Sequence, residues 1–176
     1  MKGALTGAPF LIKKANNMPQ KNIIWIASFP KSGNTWSRFL LNSLMYRKGE
    51  ITDLNSDGKI SGACTSKPLM KEFWGEKEDV GEYYKTRADA FRKLSDSRPA
   101  NKKLLMKTHS AYARFKDMPQ ITPDVSLASI LVVRNPFDCL ASCMNHFGFS
   151  EDQAFKFLSN TASSINQTDK HYPVLC

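Results

Sequence analysis

The chain has 176 residues, of which 41% are hydrophobic and 23% charged, with a formal net charge of +9. That length suits one domain with a real core, and the composition is ordinary for a soluble globular protein. No run of about 18 apolar residues occurs, which excludes an integral membrane anchor.

The basic balance suits an acidic ligand or surface, whether nucleic acid, anionic lipid or a phosphorylated small molecule, and charge alone does not choose among them. The lysines and arginines are scattered rather than gathered in one block, which favours a solvated surface over a nucleic-acid footprint. The four cysteines, Cys64, Cys139, Cys143 and Cys176, form no CxxC pair. With three histidines they make a poor zinc cluster, so they read as reduced thiols in a cytoplasmic protein without a metal.

In chain order, residues 1–21 read as a loose leader whose apolar patch is too short to span a membrane. Residues 22–28, NIIWIAS, predict a strand buried on both faces. Residues 34–47 predict a helix, with Trp36, Phe39, Leu40 and Leu44 on its apolar side and a stop near Gly49. Residues 49–68 read as loop, with a turn at NSDGK, and a helix is predicted around residues 80–96. Strands are predicted at 103–109 and 128–135. A helix follows from Pro136 to His146, and another from about 151 to 166 is opened by Ser150. The ending HYPVLC reads as the opening of a further buried strand, which predicts an incomplete domain over residues 22–176. Apolar strands alternating with helical segments predict an α/β fold with a mainly parallel sheet flanked by helices.

In such a sheet, ligands bind beyond the carboxyl ends of the strands. Here the first strand runs into Lys31 and Ser32, the second into Lys107, Thr108 and His109, and the third into Arg134 and Asn135. If the strands are parallel, these groups share one edge. The stretch SFPKSGNTW at 28–36 then has a mechanism. Gly33 permits a tight turn, the helix start exposes free N–H groups, and Lys31, Ser32 and Thr35 add a charge and hydroxyls, all of which favour an anion. It is not a Walker A loop, which places its lysine directly after the second glycine. By itself the stretch reads equally well as a capped turn.

Three segments in this order carry a resemblance. FPKSGNTW resembles the 5'-phosphosulfate loop of the sulfotransferases that use 3'-phosphoadenosine 5'-phosphosulfate (PAPS), commonly YPKSGTTW. KTH at 107–109 resembles their segment with the catalytic histidine, and VVRNPFDCLAS at 132–142 is similar to their 3'-phosphate segment. The resemblance implies a P-loop-like three-layer fold and transfer of a sulfuryl group from PAPS to a hydroxyl or amine of a small-molecule, glycan or peptide acceptor. It implies no metal and no nucleic-acid partner. It also implies that Lys31 contacts the transferring group, that Ser32, Gly33, Asn34, Thr35 and Trp36 complete the 5'-phosphate cradle, and that Arg134 and Ser142 bind the 3'-phosphate. His109 would be the general base, with Lys107 stabilising charge. Asn34 stands where the family usually has threonine, and Phe137 where it usually has lysine. The family's Gly-rich segment after the tyrosine-glutamate strand has no counterpart here. A second expectation therefore stands beside the first: a PAPS-binding module without catalysis, or an inactive truncated sulfotransferase.

Overall fold

The computed structural model describes residues 20–46, 62–75, 79–110, 112, 114–115, 118–160, 164–165 and 174–175. The leader, the stop at Gly49 and the turn at NSDGK fall outside the described residues, apart from positions 20 and 21.

Strand β1 (Ile23–Ser28) is the middle of a three-stranded parallel sheet, between β2 (Leu104–Thr108) and β5 (Ser126–Val132). The register sets Trp25 beside Met106 and Ser129, and Ala27 beside Thr108 and Leu131. Two short antiparallel pairs lie outside this sheet. One joins β3 (Arg114–Phe115) to β4 (Met118–Pro119), the other β6 (Ser164–Ile165) to β7 (Val174–Leu175). Among the described residues the helices are α1 (Asn34–Tyr46), α2 (Lys67–Trp74), α3 (Val80–Asp96), α4 (Pro136–Phe147) and α5 (Glu151–Ser159).

Period-2 alternation sends β1 and β2 side chains to opposite faces. Ile23, Trp25 and Met106 join Tyr83, Phe91 and Leu94 of α3 in the main core. Trp25 meets Phe91 edge-on, with centroids 5.3 Å apart at 88°, a favoured aromatic geometry. Ile26 and Leu105, also buried, take the other face, where α1 packs on β1 and β2. The result is a three-layer α/β arrangement, as expected.

The boundaries follow local chemistry. Ser66 caps α2 by accepting from the Leu69 amide, and Asp79 caps α3 by accepting from the Glu82 amide. The first residues of α2, Lys67 and Pro68, lie within the stretch 49–68 whose composition predicts loop. The preceding stretch is ordered against the sheet, with Cys64 N–H donating to the Lys107 carbonyl and Lys107 N–H to the Gly62 carbonyl. Ser150 and Gln153 form a capping box on α5, which ends at Ser159 rather than near 166.

The third strand begins and ends earlier than its apolar run suggests. Ser126 fixes the start: its hydroxyl accepts from Trp25 Nε1 at 2.6 Å and donates to the Thr122 carbonyl at 2.6 Å. Val133 to Asn135 then leave the sheet toward α4, where Asn135 caps the helix by accepting from the Phe137 amide.

Candidate anion-binding site

Because β1, β2 and β5 are parallel, their carboxyl ends lie at one edge, and the chain visits β2 on one side of β1 before crossing to β5 on the other. That is where a crevice opens in α/β sheets. A cleft of about 500 Å³ lies there, lined by Lys31, Gly33, Asn34, Thr35 and Trp36 from the β1–α1 loop. Lys107 and His109 of the second strand, Arg134, Ser142 and His146 of the third segment, and Phe147 and Ile165 complete most of the wall. The three strand ends anticipated from sequence therefore meet. Aspartate and glutamate are missing from the described lining, so its formal charge is positive.

The loop is shaped to present backbone N–H groups. Gly33 sits at φ +105° and Lys31 at φ +68°. The first favours glycine, and the second is an unusual conformation for a side chain with a Cβ. Left-handed residues next to a helix N-terminus turn successive amides toward one point, a concavity suited to an anion. Arg134 supports the loop from the far segment: its Nη1 donates to the Lys31 carbonyl at 3.3 Å, while its Nε lies 3.6 Å from Asp138.

Two cradle residues point elsewhere. Ser32 is buried, with its hydroxyl 3.7 Å from the Cys139 sulfur, so its side chain packs beneath the loop rather than lining the cleft. The Asn34 side chain is turned toward the strand, donating to the Ile26 carbonyl at 2.8 Å and to Ser28 Oγ at 3.0 Å. Thr35 and Trp36 are exposed at the mouth.

His109 is held by Ser28, with Nδ1 2.8 Å from the carbonyl oxygen and 3.2 Å from the hydroxyl. Burial, and then the nearby Lys107, push its pKa down to about 4, although the bond to Ser28 opposes the shift and Arg38 and Lys31 add to it. Burial, followed by Arg38 and Lys31, also lowers Lys107. Arg38, placed by sequence on the polar side of α1, is itself partly buried and held below its ordinary value by desolvation. Its nearness to His109 and Lys107 could have been suspected from its position one helical turn after Asn34.

Cys64, Cys139 and Cys143 are free and buried. Among the described residues no cluster of three or more His, Cys, Asp or Glu side chains is placed to hold a metal, and no helix is long and apolar enough to cross a membrane.

The fold and cleft define an α/β protein with a cationic cleft at the carboxyl edge of a parallel sheet. A family model described as the sulfotransferase domain matches residues 21–168. The chain belongs to that family. No curated protein matches it.

Proposed function

We propose that this protein transfers a sulfuryl group from PAPS to a hydroxyl or amine, with the donor's phosphates in the cleft and His109 as the general base. The observation that carries the reading is the lining itself: Lys31, Lys107 and Arg134 converge with His109 and a helix N-terminus, with no carboxylate among the described lining residues. Such a wall fits a multiply charged anion and is costly to assemble without one.

When bound, the donor supplies a sulfuryl group: its S–O bond to the phosphate breaks as a new bond forms to the acceptor. The residues do the rest. The loop amides and Lys31 hold the 5'-phosphate side and oppose the charge growing on the leaving oxygen. Arg134 and Ser142 hold the 3'-phosphate. His109, bonded through Nδ1–H to the Ser28 carbonyl, keeps a lone pair on Nε2 for the acceptor's proton, and Lys107 steadies the developing charge.

The test is turnover of ³⁵S-labelled PAPS over a panel of phenols, alcohols, amines and glycans, run beside equilibrium binding of the desulfonated nucleotide. Transfer that is lost in His109→Ala, with nucleotide binding retained, supports the reading. Binding without transfer to any acceptor favours the non-catalytic module, and absence of both overturns the site assignment.

A further inference from the structure

Asn34 is the first residue of α1, yet it is only 4% exposed and turned under the loop. Its two donor bonds settle the orientation of the amide, because the Ile26 carbonyl can only accept. That orientation leaves Oδ1 buried without a hydrogen-bond partner among the described residues. A buried orphan acceptor is costly, and an apolar residue would avoid it. What the asparagine gains is a double clamp on the end of β1.

Ser28, the far end of that clamp, is also the group that holds His109. The ring nitrogen 2.8 Å from the Ser28 carbonyl must carry the hydrogen, since a carbonyl oxygen has none to give. Nε2 is then the free lone pair. The Ser28 hydroxyl, 3.2 Å from the same nitrogen, could undo this arrangement by donating to it, which would favour the tautomer with its proton on Nε2 and no basic site facing the cleft. The bond from Asn34 fixes the hydroxyl oxygen and engages one of its lone pairs. The carbonyl, which can only accept, decides for Nδ1–H, and the hydroxyl held in place then meets that hydrogen with its remaining lone pair. The charged groups facing the ring are all cations: Lys107 on its own strand, Arg38 on α1 and Lys31 in the loop. None can accept the ring's hydrogen.

We propose that Asn34 is a positioning residue that fixes, through Ser28, the tautomer and orientation of His109, so that one side chain holds the anion-binding helix start and the general base in a common frame. Its consequence for turnover rests on the sulfotransfer reading; its consequence for the imidazole does not.

Long-range ¹H–¹⁵N NMR on the full, ligand-free chain near pH 7.5 reads the tautomer directly, with His109 assigned by comparison with His109→Gln. The wild-type ring is expected as the Nδ1–H form. Asn34→Ala, which releases the Ser28 hydroxyl to donate, is expected to move it toward Nε2–H. Ser28→Ala, which keeps the carbonyl and removes the competing donor, is expected to keep it Nδ1–H. Asn34→Asp, of nearly the same shape but without the donors, is expected to behave like Asn34→Ala. In turnover, each variant loses about tenfold in kcat, the scale of a misaligned reacting group, with the donor KM little changed. Asn34→Ala/Ser28→Ala is expected to be no slower than the worse single variant, because both act through one contact.

An unchanged ring in folded Asn34→Asp, or a ring in folded Ser28→Ala that turns to the Nε2–H form, overturns the proposal, as do losses that simply multiply in the double variant. If Asn34→Ala fails to fold, those two variants carry the test. A tautomer shift with no transfer to any acceptor leaves the positioning role standing and sinks the sulfotransfer reading instead.

Discussion

Arg134 Nη1 reaches across 103 positions of sequence to the carbonyl oxygen of Lys31, 3.3 Å away. The bond joins the loop after β1 to the segment after β5, and it does so at a residue whose φ of +68° is already unusual. Arg134 can therefore brace the loop as well as face the ligand.

If both roles hold, Arg134→Lys fails almost as completely as Arg134→Ala, because an ammonium is a point charge and cannot serve a carbonyl and a phosphate with a planar fork. Both substitutions are expected to weaken nucleotide binding by about tenfold or more, the scale of a lost charge-assisted bond. Isothermal titration with the desulfonated nucleotide measures it. Asp138→Asn makes a contrasting control: its pair with Arg134 is solvent-exposed on both sides and contributes little, so binding should hold or tighten slightly. A lysine variant that binds like wild type would remove the bracing role.

Lys31 separates stability from function. A residue with a Cβ held at positive φ is strained by about 1 kcal/mol, and glycine is not. Lys31→Gly is thus expected to keep or raise the melting temperature while abolishing transfer, which calorimetry and the labelled-donor assay report independently. A clear fall in melting temperature would mean that the lysine side chain stabilises the loop in ways its backbone does not reveal.

The parts legible in sequence were those set by local pattern. The apolar run of β1, the glycine that follows and the start of α1 lie within about 20 positions, so local pattern defines them. The face of α1 that packs, however, is not the one its apolar spacing marks: Trp36, Leu40 and Leu44 are exposed and Asn42 is buried. The meeting of Lys31, His109 and Arg134 needed only the added assumption of parallel strands, which holds. What sequence hid was side-chain direction. Asn34 and Ser32 sit inside a phosphate-loop pattern, yet their side chains turn to Ile26, Ser28 and Cys139, partners 6 to 107 positions away. The run ASILVVRN reads as a strand, with nothing to mark its place in the sheet. In the fold β5 is an edge among the described residues, with Leu131 and Val133 at 70% and 78% exposure. Hydrophobic content cannot tell an edge strand from a central one, because both present the same letters.

His109 makes two pH predictions. Its folded pKa of about 4 lies below the ordinary 6.5, so between those values the unfolded chain binds a proton that the folded chain refuses. Stability from this group is therefore complete above pH 6.5 and is lost as pH falls toward 4, by on the order of 3 kcal/mol. His109→Gln should flatten that part of the stability curve in urea titrations at pH 4 to 7. In turnover, a bound anion offsets Lys107, Arg38 and Lys31, so the acid limb of kcat should lie at higher pH than that of kcat/KM. Coincident limbs would show that the cations do not set the basicity of His109.

Arg87 gives a test far from the cleft. It is 1% exposed, stacked 5.4 Å from the ring centroids of both Tyr83 and Phe91, and its Nη1 donates to Gln120 Oε1 at 3.1 Å. Its Nε and Nη2, and Gln120 Nε2, have no hydrogen-bond partner among the described residues. Burying a guanidinium and an amide so incompletely satisfied is costly, and replacing both members by apolar groups of similar volume removes that cost. Arg87→Met/Gln120→Leu is expected to match or exceed wild-type stability, by up to about 3 kcal/mol. Arg87→Met alone strands Gln120 and should gain less, while Arg87→Lys, which loses the stacked plane and keeps the charge, should destabilise. Urea midpoints at constant m-value rank the three. If the double variant proves the least stable, the stacking of Arg87 on Tyr83 and Phe91 outweighs its unmet hydrogen bonds, and the cation is part of what holds α3 to the sheet.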